Sequence, residues 1–400
     1  MSKKILIVTE YFYPEEFKIN EVAQEWKKKG YIIDILTQNP TYPFGEVFDG
    51  YENKWFSKLS YNDMTIYKVK AVTGYKTSLF KKLLKYFSFM ILGSIVSLKI
   101  GKKYDYVFGF DIAALTGMVP AAILKQFYNK PVTLWIQDVW PDSVYAYGFK
   151  KTKILEFCLN RFVKYVYRHT SNFAISAKGF EQKIKPYLNG SKNIMYAPNW
   201  ADELNYSLEP YKFSNEDKIN FTFAGNIGKV QNLDHIIQAF SKIDQKFKDK
   251  IQLNIIGDGS HLQTLENYVS NNKINNIIFH GKKPRDEIFS YLGGSDFLIV
   301  SLIDKPIFAL TVPAKTQTYI ASKKPILAIM NGEGSNIISE NNLGICVNPS
   351  SIEDIQRLFE MAILFDDNQK CQYTKNCEVL TNSIFKREKI IDDLLELLIK

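Results

Sequence analysis

The stretch Phe221–Phe240, FTFAGNIGKVQNLDHIIQAF, decides the reading of the fold. An apolar strand, Phe221 to Ala224, runs into a turn on Gly225 and Gly228. Beyond it Leu233, Ile236, Ile237 and Phe240 fall at the 3–4 spacing of a buried helix face. Glycine lets a backbone come close to a ligand, and a helix N-terminus presents free amides and a partial positive charge. The unit therefore reads two ways, as a cradle for a phosphate or diphosphate or as an ordinary strand-to-helix turn.

Outward from this stretch the same alternation continues. Downstream, strands are expected at Gln252–Ile256, Asn276–His280, Phe297–Ser301, Pro325–Ile329 and Gly344–Val347, with helices between them. Ile256-Gly257-Asp258-Gly259 forms a second strand-end glycine turn, and Thr311-Val312-Pro313-Ala314-Lys315 precedes a helix. Upstream, Lys4–Thr9 (KILIVT) is a continuous apolar run, the mark of a parallel strand buried on both faces. Further strands are expected at Tyr31–Leu36, Thr65–Val69, Asp105–Gly109, Val132–Ile136, Asn172–Ile175 and Asn193–Tyr196. No glycine triplet follows the first strand, so the dinucleotide fingerprint of a dehydrogenase is missing there. Residues 37–62 read as one long loop rich in Pro, Gly and Tyr, and residues 197–215 read as a linker. The fold class is α/β. Two doubly wound Rossmann-like domains are expected, at 1–197 and 198–383, facing a central cleft. An amphipathic helix, 384–400, is expected to pack back toward the first.

Composition bounds the function. Hydrophobic residues make up 46% and charged residues 23% of the 400, which describes a soluble globular chain. Cys158, Cys346, Cys371 and Cys377 lack metal-ligand spacing and His is scarce, so no metal site is expected and the thiols read as reduced and cytoplasmic. The N-terminus enters a strand directly, with no signal-peptide apolar region. Residues 1–200 hold 29 Lys+Arg against 16 Asp+Glu, a balance of +13, whereas residues 201–400 balance at −4. A basic half on a near-neutral half points to a polyanionic surface as partner.

Much of that charge falls in Gly74–Lys103, which carries seven lysines and no acid around the run LLKYFSFMILGSIVSL. The apolar part, Phe87 to Leu98, falls short of the roughly 20 residues needed to span a bilayer. It suits a helix lying in the membrane interface, with Lys81, Lys82, Lys85, Phe87 and Phe89 as contacts. The alternative is a core helix with solvated lysine ends. The interleaved apolar residues argue against nucleic acid.

Asp138, in Gln137-Asp138-Val139-Trp140-Pro141-Asp142-Ser143, follows a strand, where open α/β sheets bind ligands. A helix-capping or turn acid is the alternative there, and on sequence alone the readier one.

Specific residues then resemble a family. Tyr11-Phe12-Tyr13-Pro14-Glu15, Phe17-Lys18-Ile19-Asn20, Asn39-Pro40, Tyr42-Pro43 and Gly50-Tyr51 open the match. WIQDVWPDS (Trp135–Ser143), Pro198-Asn199-Trp200, the Gly225–Gly228 turn with Gln231, Gly257-Asp258-Gly259 and Val312–Lys315 continue it in order. Together they resemble bacterial polysaccharide glycosyltransferases of family 4, best the fucosamine-transferase group of O-antigen and capsule assembly. The resemblance implies the GT-B architecture, a UDP-sugar donor, a polyprenyl-diphosphate-linked acceptor, no cofactor, and retaining transfer without metal at the inner face of the cell membrane. It implies donor contacts from Gly225, Asn226, Gly228, Lys229, Gln231, Gly257, Asp258 and Lys315. Acceptor contacts fall to Asn20, Tyr42 and Trp140, and catalytic roles to Asp138 and Glu15. The chain departs from the family at Asn226 and Gln231, where many members have Arg and Lys, and at Leu310 and Thr318, where many have glutamates. Diphosphate charge is then expected to rest on Lys315, Lys229 and backbone amides. Rival readings are a UDP-sugar 2-epimerase of the same fold and a non-catalytic binding module with a decayed site.

Overall fold

The computed structural model describes residues 2–75, 79–146, 149–200, 209–213 and 217–400. It divides into two units, Met1–Pro198 with Glu388–Lys400, and Asn199–Arg387.

The first unit is built on eight strands: β1 Lys4–Thr9, β2 Ile32–Gln38, β3 Phe56–Tyr61, β4 Met64–Val69, β5 Tyr106–Asp111, β6 Val132–Ile136, β7 Asn172–Ile175 and β8 Asn193–Tyr196. They pair in the order β3-β4-β2-β1-β5-β6-β7-β8. All pairs are parallel except the hairpin β3–β4. The central strands are fully buried because helices cover both faces of a parallel sheet, which is why they read as unbroken apolar runs.

β3 corrects the expectation of a continuous loop over 37–62. Its residues FSKLSY are mostly exposed, so no buried face marks them in the sequence. The signal was the turn instead. Asn62 and Asp63 both take positive φ, 47° and 52°, as a tight hairpin requires.

The second unit carries β9 Ile219–Ala224, β10 Ile251–Ile256, β11 Ile277–Gly281, β12 Phe297–Ser301, β13 Ile326–Ile329 and β14 Gly344–Val347. Their order, β11-β10-β9-β12-β13-β14, is the doubly wound one, and every pair is parallel. On one face Phe221, Phe223 and Ile299 pack under Leu233, Ile236 and Phe240 of one helix and Leu358 and Phe359 of another. On the other, Leu298 and Val300 pack under Tyr319, Ile320 and Phe385.

The helix Arg387–Ile399 joins the first unit. Trp26 Nε1 donates to the Ile391 carbonyl at 3.1 Å, and Asn172 Nδ2 to the Leu397 carbonyl at 2.8 Å, both buried.

The helix Leu79–Ile100 is inverted. Leu84, Phe87, Ile91 and Ile95 form an exposed stripe, while Lys85, Phe89, Ser94 and Ser97 face inward. Two membrane contacts expected from the sequence are thereby corrected. Lys85 is 6% exposed, bonds the Tyr11 hydroxyl and lies 4.2 Å from the centre of the Tyr75 ring; Phe89 is fully buried. Phe87 and Lys81 are exposed, and the Lys82 side chain lies outside the described residues. The apolar run Phe87–Leu98 lies within a longer stretch that also takes in Lys85, Lys99, Lys102 and Lys103. Leu83–Lys103, 21 residues, suffices by length and composition to cross a membrane.

Candidate functional site

Each sheet reverses its strand order once, between β1 and β5 in the first unit and between β9 and β12 in the second. Ligands of open α/β sheets bind beyond the carboxyl ends of strands at such points. The candidate residues are therefore described unit by unit.

In the first unit the register Thr9↔Phe110 makes Glu10 and Asp111 the adjacent residues at the switch point. Both are 2% exposed. Neither Glu10 oxygen has a hydrogen-bond partner, and Asp111 Oδ2 has none. Burial pushes the Glu10 carboxyl up to about 7, partly offset by Lys85, and holds the Asp111 carboxyl well above its usual range, reinforced by Asp138. The unpartnered side chains of Gln38, at the end of β2, and Thr41, just beyond it, are buried in the same unit. Neither acid stood out in the sequence. Their meeting depends on strand pairing, and the only available signal was an acid directly after an apolar strand.

Glu15 is buried too. Its Oε1 accepts from the Thr41 amide at 2.9 Å and the Tyr42 amide at 2.7 Å, while Oε2 has no partner. Burial raises its carboxyl to about 7 against these amides and the attraction of Lys68. Asn20 Nδ2 donates to the Glu15 carbonyl at 2.8 Å, so Asn20 holds the loop that carries the acid. Tyr42 is about half exposed and packs on Tyr11 and Phe17. Asp138 Oδ1 accepts from the Val139 amide at 3.0 Å and lies 2.5 Å from Ser143 Oγ. It thus holds the turn before the short helix Asp142–Ala146, and burial raises its carboxyl. Trp140 packs on Phe162.

In the second unit the stretch 221–240 departs from its expected geometry. The turn does not open directly into the long helix. A 3-10 turn, Lys229–Gln231, intervenes, and the helix runs Leu233–Ser241 after Asn232 in the left-handed region. Several amides expected to face a diphosphate are already bonded. Gly225 N donates to the Ile256 carbonyl and Ile227 N to the Asp258 carbonyl, each at 2.9 Å. Gln231 Oε1 accepts from Gly228 N at 3.0 Å and from Asn226 Nδ2 at 3.3 Å, so this glutamine closes the turn. Asp258 is exposed and accepts from the Gly259 amide. Gly257 has φ +140°, and a Cβ there would overlap the Gly225 backbone, so the two glycine turns pack against each other. Lys229 is exposed.

Lys315 is the distinctive group. It lies in the first turn of the helix Ala314–Ala321, its Nζ 3.6 Å from the Phe223 ring centre and shut off from solvent without a hydrogen-bond partner. A Cβ added to Gly225 would lie 3.0 Å from that Nζ, so the ammonium sits directly against the glycine turn. Burial lowers its pKa to about 7. Tyr319, one turn on, accepts from the Ala224 amide at 2.9 Å and donates to the Ala224 carbonyl, fixing the end of β9. Sequence reading missed that brace. Trp200, of the Pro198-Asn199-Trp200 motif, is 1% exposed and offers no ring face for a sugar to stack on.

Residues 209–377, within the second unit, match the family model described as glycosyl transferases group 1. The chain is 26% identical over 262 residues to the probable glycosyltransferase WbjE of Pseudomonas aeruginosa, a match spanning 62% of this chain and 64% of that protein. It is 20% identical over 385 residues, 90% of this chain and 92% of the relative, to the putative colanic acid biosynthesis glycosyl transferase WcaI of Escherichia coli K12. Among solved structures, an E. coli one described as trehalose-6-phosphate bound with UDP-2-fluoro glucose superposes with a TM-score of 0.73. It is 11% identical and covers 99% of this chain and 100% of that one. The fold is that of GT-B glycosyltransferases, with two Rossmann-like α/β domains.

Proposed function

We propose that this chain is a retaining, metal-independent glycosyltransferase. It moves an N-acetylated, fucosamine-type sugar from a UDP-sugar to a polyprenyl-diphosphate-linked glycan in surface polysaccharide synthesis, working at the inner face of the cell membrane. The observation that carries the reading is Lys315, whose solvent-shielded Nζ lies against the Gly225 turn at the switch point of a group 1 domain. Burying an ammonium without a hydrogen-bond partner is costly, and a nucleoside diphosphate in that turn would repay the cost.

Glycosyl transfer breaks the bond between the sugar carbon and the diphosphate oxygen, and negative charge grows on that oxygen. A fixed cation in a desolvated place stabilises it most where the charge develops. Lys315 takes this role, with exposed Lys229 and the free Nε2 side of the Gln231 amide as lesser donors. Glu15 and Asp138 orient sugar hydroxyls through their remaining carboxylate oxygens, and Asn20 positions Glu15. Tyr42 and Trp140 offer ring faces to the acceptor. One relative's name in colanic acid biosynthesis and the UDP-sugar of the solved neighbour are consistent with pathway and donor class.

The test is sugar transfer from a panel of UDP-sugars, including UDP-N-acetylfucosamine, in membranes with and without a polyprenyl-diphosphate-sugar. Acceptor-dependent UDP release with one donor is expected. Conversion of a UDP-sugar without any acceptor would replace the transferase by an epimerase.

A further inference from the structure

A cavity of about 370 Å³ in the first unit adjoins the site described above through Trp140, and its other lining residues have no role there. Its wall is almost wholly apolar. Leu83, Phe87 and Met90 come from the helix Leu79–Ile100, Leu155 and Leu159 from the helix Lys153–Arg168, and Trp140 from the turn between β6 and the short helix Asp142–Ala146. Apolar cavities of roughly 150 Å³ already stay dry and take up benzene, and ligand pockets run from about 300 Å³ upward.

Three features say what would fill it. Both helices that form its mouth expose large apolar side chains beside it. Phe87 is 49% exposed on one, and Ile154 and Phe157 are 79% and 64% exposed on the other. Cations surround the second group: Lys150, Lys151, Lys153, Arg161 and Lys164 are all exposed. Apolar side chains ringed by lysines suit an anionic lipid surface. The third feature is the inner wall, Ala113 and Thr116. The Thr116 hydroxyl is buried without a partner, and the next residue, Gly117, lies against Glu10 Oε1, which a Cβ there would approach to 2.9 Å. The cavity thus runs inward from a basic apolar rim to Thr116, the neighbour in sequence of the glycine that lies against Glu10.

We infer that this cavity holds the first part of an isoprenoid chain of a lipid phosphate drawn from an anionic membrane surface. The inference rests on the lipid-linked acceptor proposed above and adds a binding site for its chain.

The test is calorimetric titration of the full chain with farnesyl phosphate below its micelle-forming concentration, with glycerol phosphate as the head-group control. Saturable binding with a negative heat-capacity change is expected, and none with glycerol phosphate. Ala113→Phe, which fills the cavity, should weaken it at least tenfold. Cys158 lines the cavity and is accessible, so blocking it with a bulky maleimide in folded Cys371→Ser protein should do the same without touching folding. Absence of saturable binding, or binding indifferent to both blocks, overturns the inference. Flotation with phosphatidylglycerol vesicles separates the two readings. Vesicle binding without farnesyl phosphate binding removes the cavity's role and leaves the transferase standing, whereas UDP-sugar turnover with no acceptor removes both.

Discussion

At the scale of single residues, charge burial makes the sharpest predictions. Lys315→Ala should weaken UDP binding about 10- to 100-fold by calorimetry, the range of one charge-assisted hydrogen bond of roughly 1.5–3 kcal/mol. With its pKa lowered to about 7, Lys315 is mostly neutral at pH 8, and a bound diphosphate would restore its proton. Calorimetry at pH 8 in buffers of differing ionisation heat should therefore show uptake of close to one proton per UDP, absent in Lys315→Met. Uptake unchanged in that variant would sink the role. The acids run the other way. Between the ordinary 4.5 and about 7 folded Glu10 keeps a proton that the unfolded chain has lost, so stability falls as pH rises through that interval. Glu10→Gln should flatten this fall and raise the melting temperature above pH 7, as thermal denaturation from pH 4.5 to 8 would show. Lys315 was legible in sequence because it follows a recognisable Val-Pro-Ala. Glu10 and Asp111 were not, since pairing of β1 with β5 brings together residues about a hundred positions apart.

Among the elements, the inverted helix Leu79–Ile100 separates two kinds of apolar residue that look alike in sequence. Phe89→Ala should cost about 3–5 kcal/mol in denaturant unfolding, as for a fully buried aromatic. Ile91→Ser, on the exposed stripe, should change stability by less than about 0.5 kcal/mol yet reduce flotation with anionic vesicles. Equal effects of the two on stability would refute the inversion. Hydrophobic periodicity located this helix but not its orientation, because lysine fits either face: its stem is apolar, and Tyr11 and Tyr75 accommodate its charge at Lys85. The parallel strands were readable as apolar runs because burial on both faces leaves no other choice. The edge strand β3, with little buried surface, offered no such pattern. The Gly225–Gly228 turn was found, but the Gln231 side chain that consumes the Gly228 amide was not, since a polar residue three positions on looks the same whether it caps a turn or waits for ligand.

On the scale of the whole molecule, the last helix belongs to the unit the chain left some two hundred residues earlier. Ending the chain at residue 386 would strip cover from Trp26 and Asn172 and leave the β9–β14 sheet intact. Hydrogen exchange should then show lost protection in β1 and β7 but not in β9 or β10; uniform loss would mean the helix supports both units. The arrangement also has a topological result. The backbone passes from one unit to the other and back again, closing a ring whose last link is the non-covalent seat of Arg387–Ile399. One severed peptide bond in the first passage leaves two fragments still clasped by that seat, so a nicked protein should migrate as a single species in native gel filtration and separate only in denaturant.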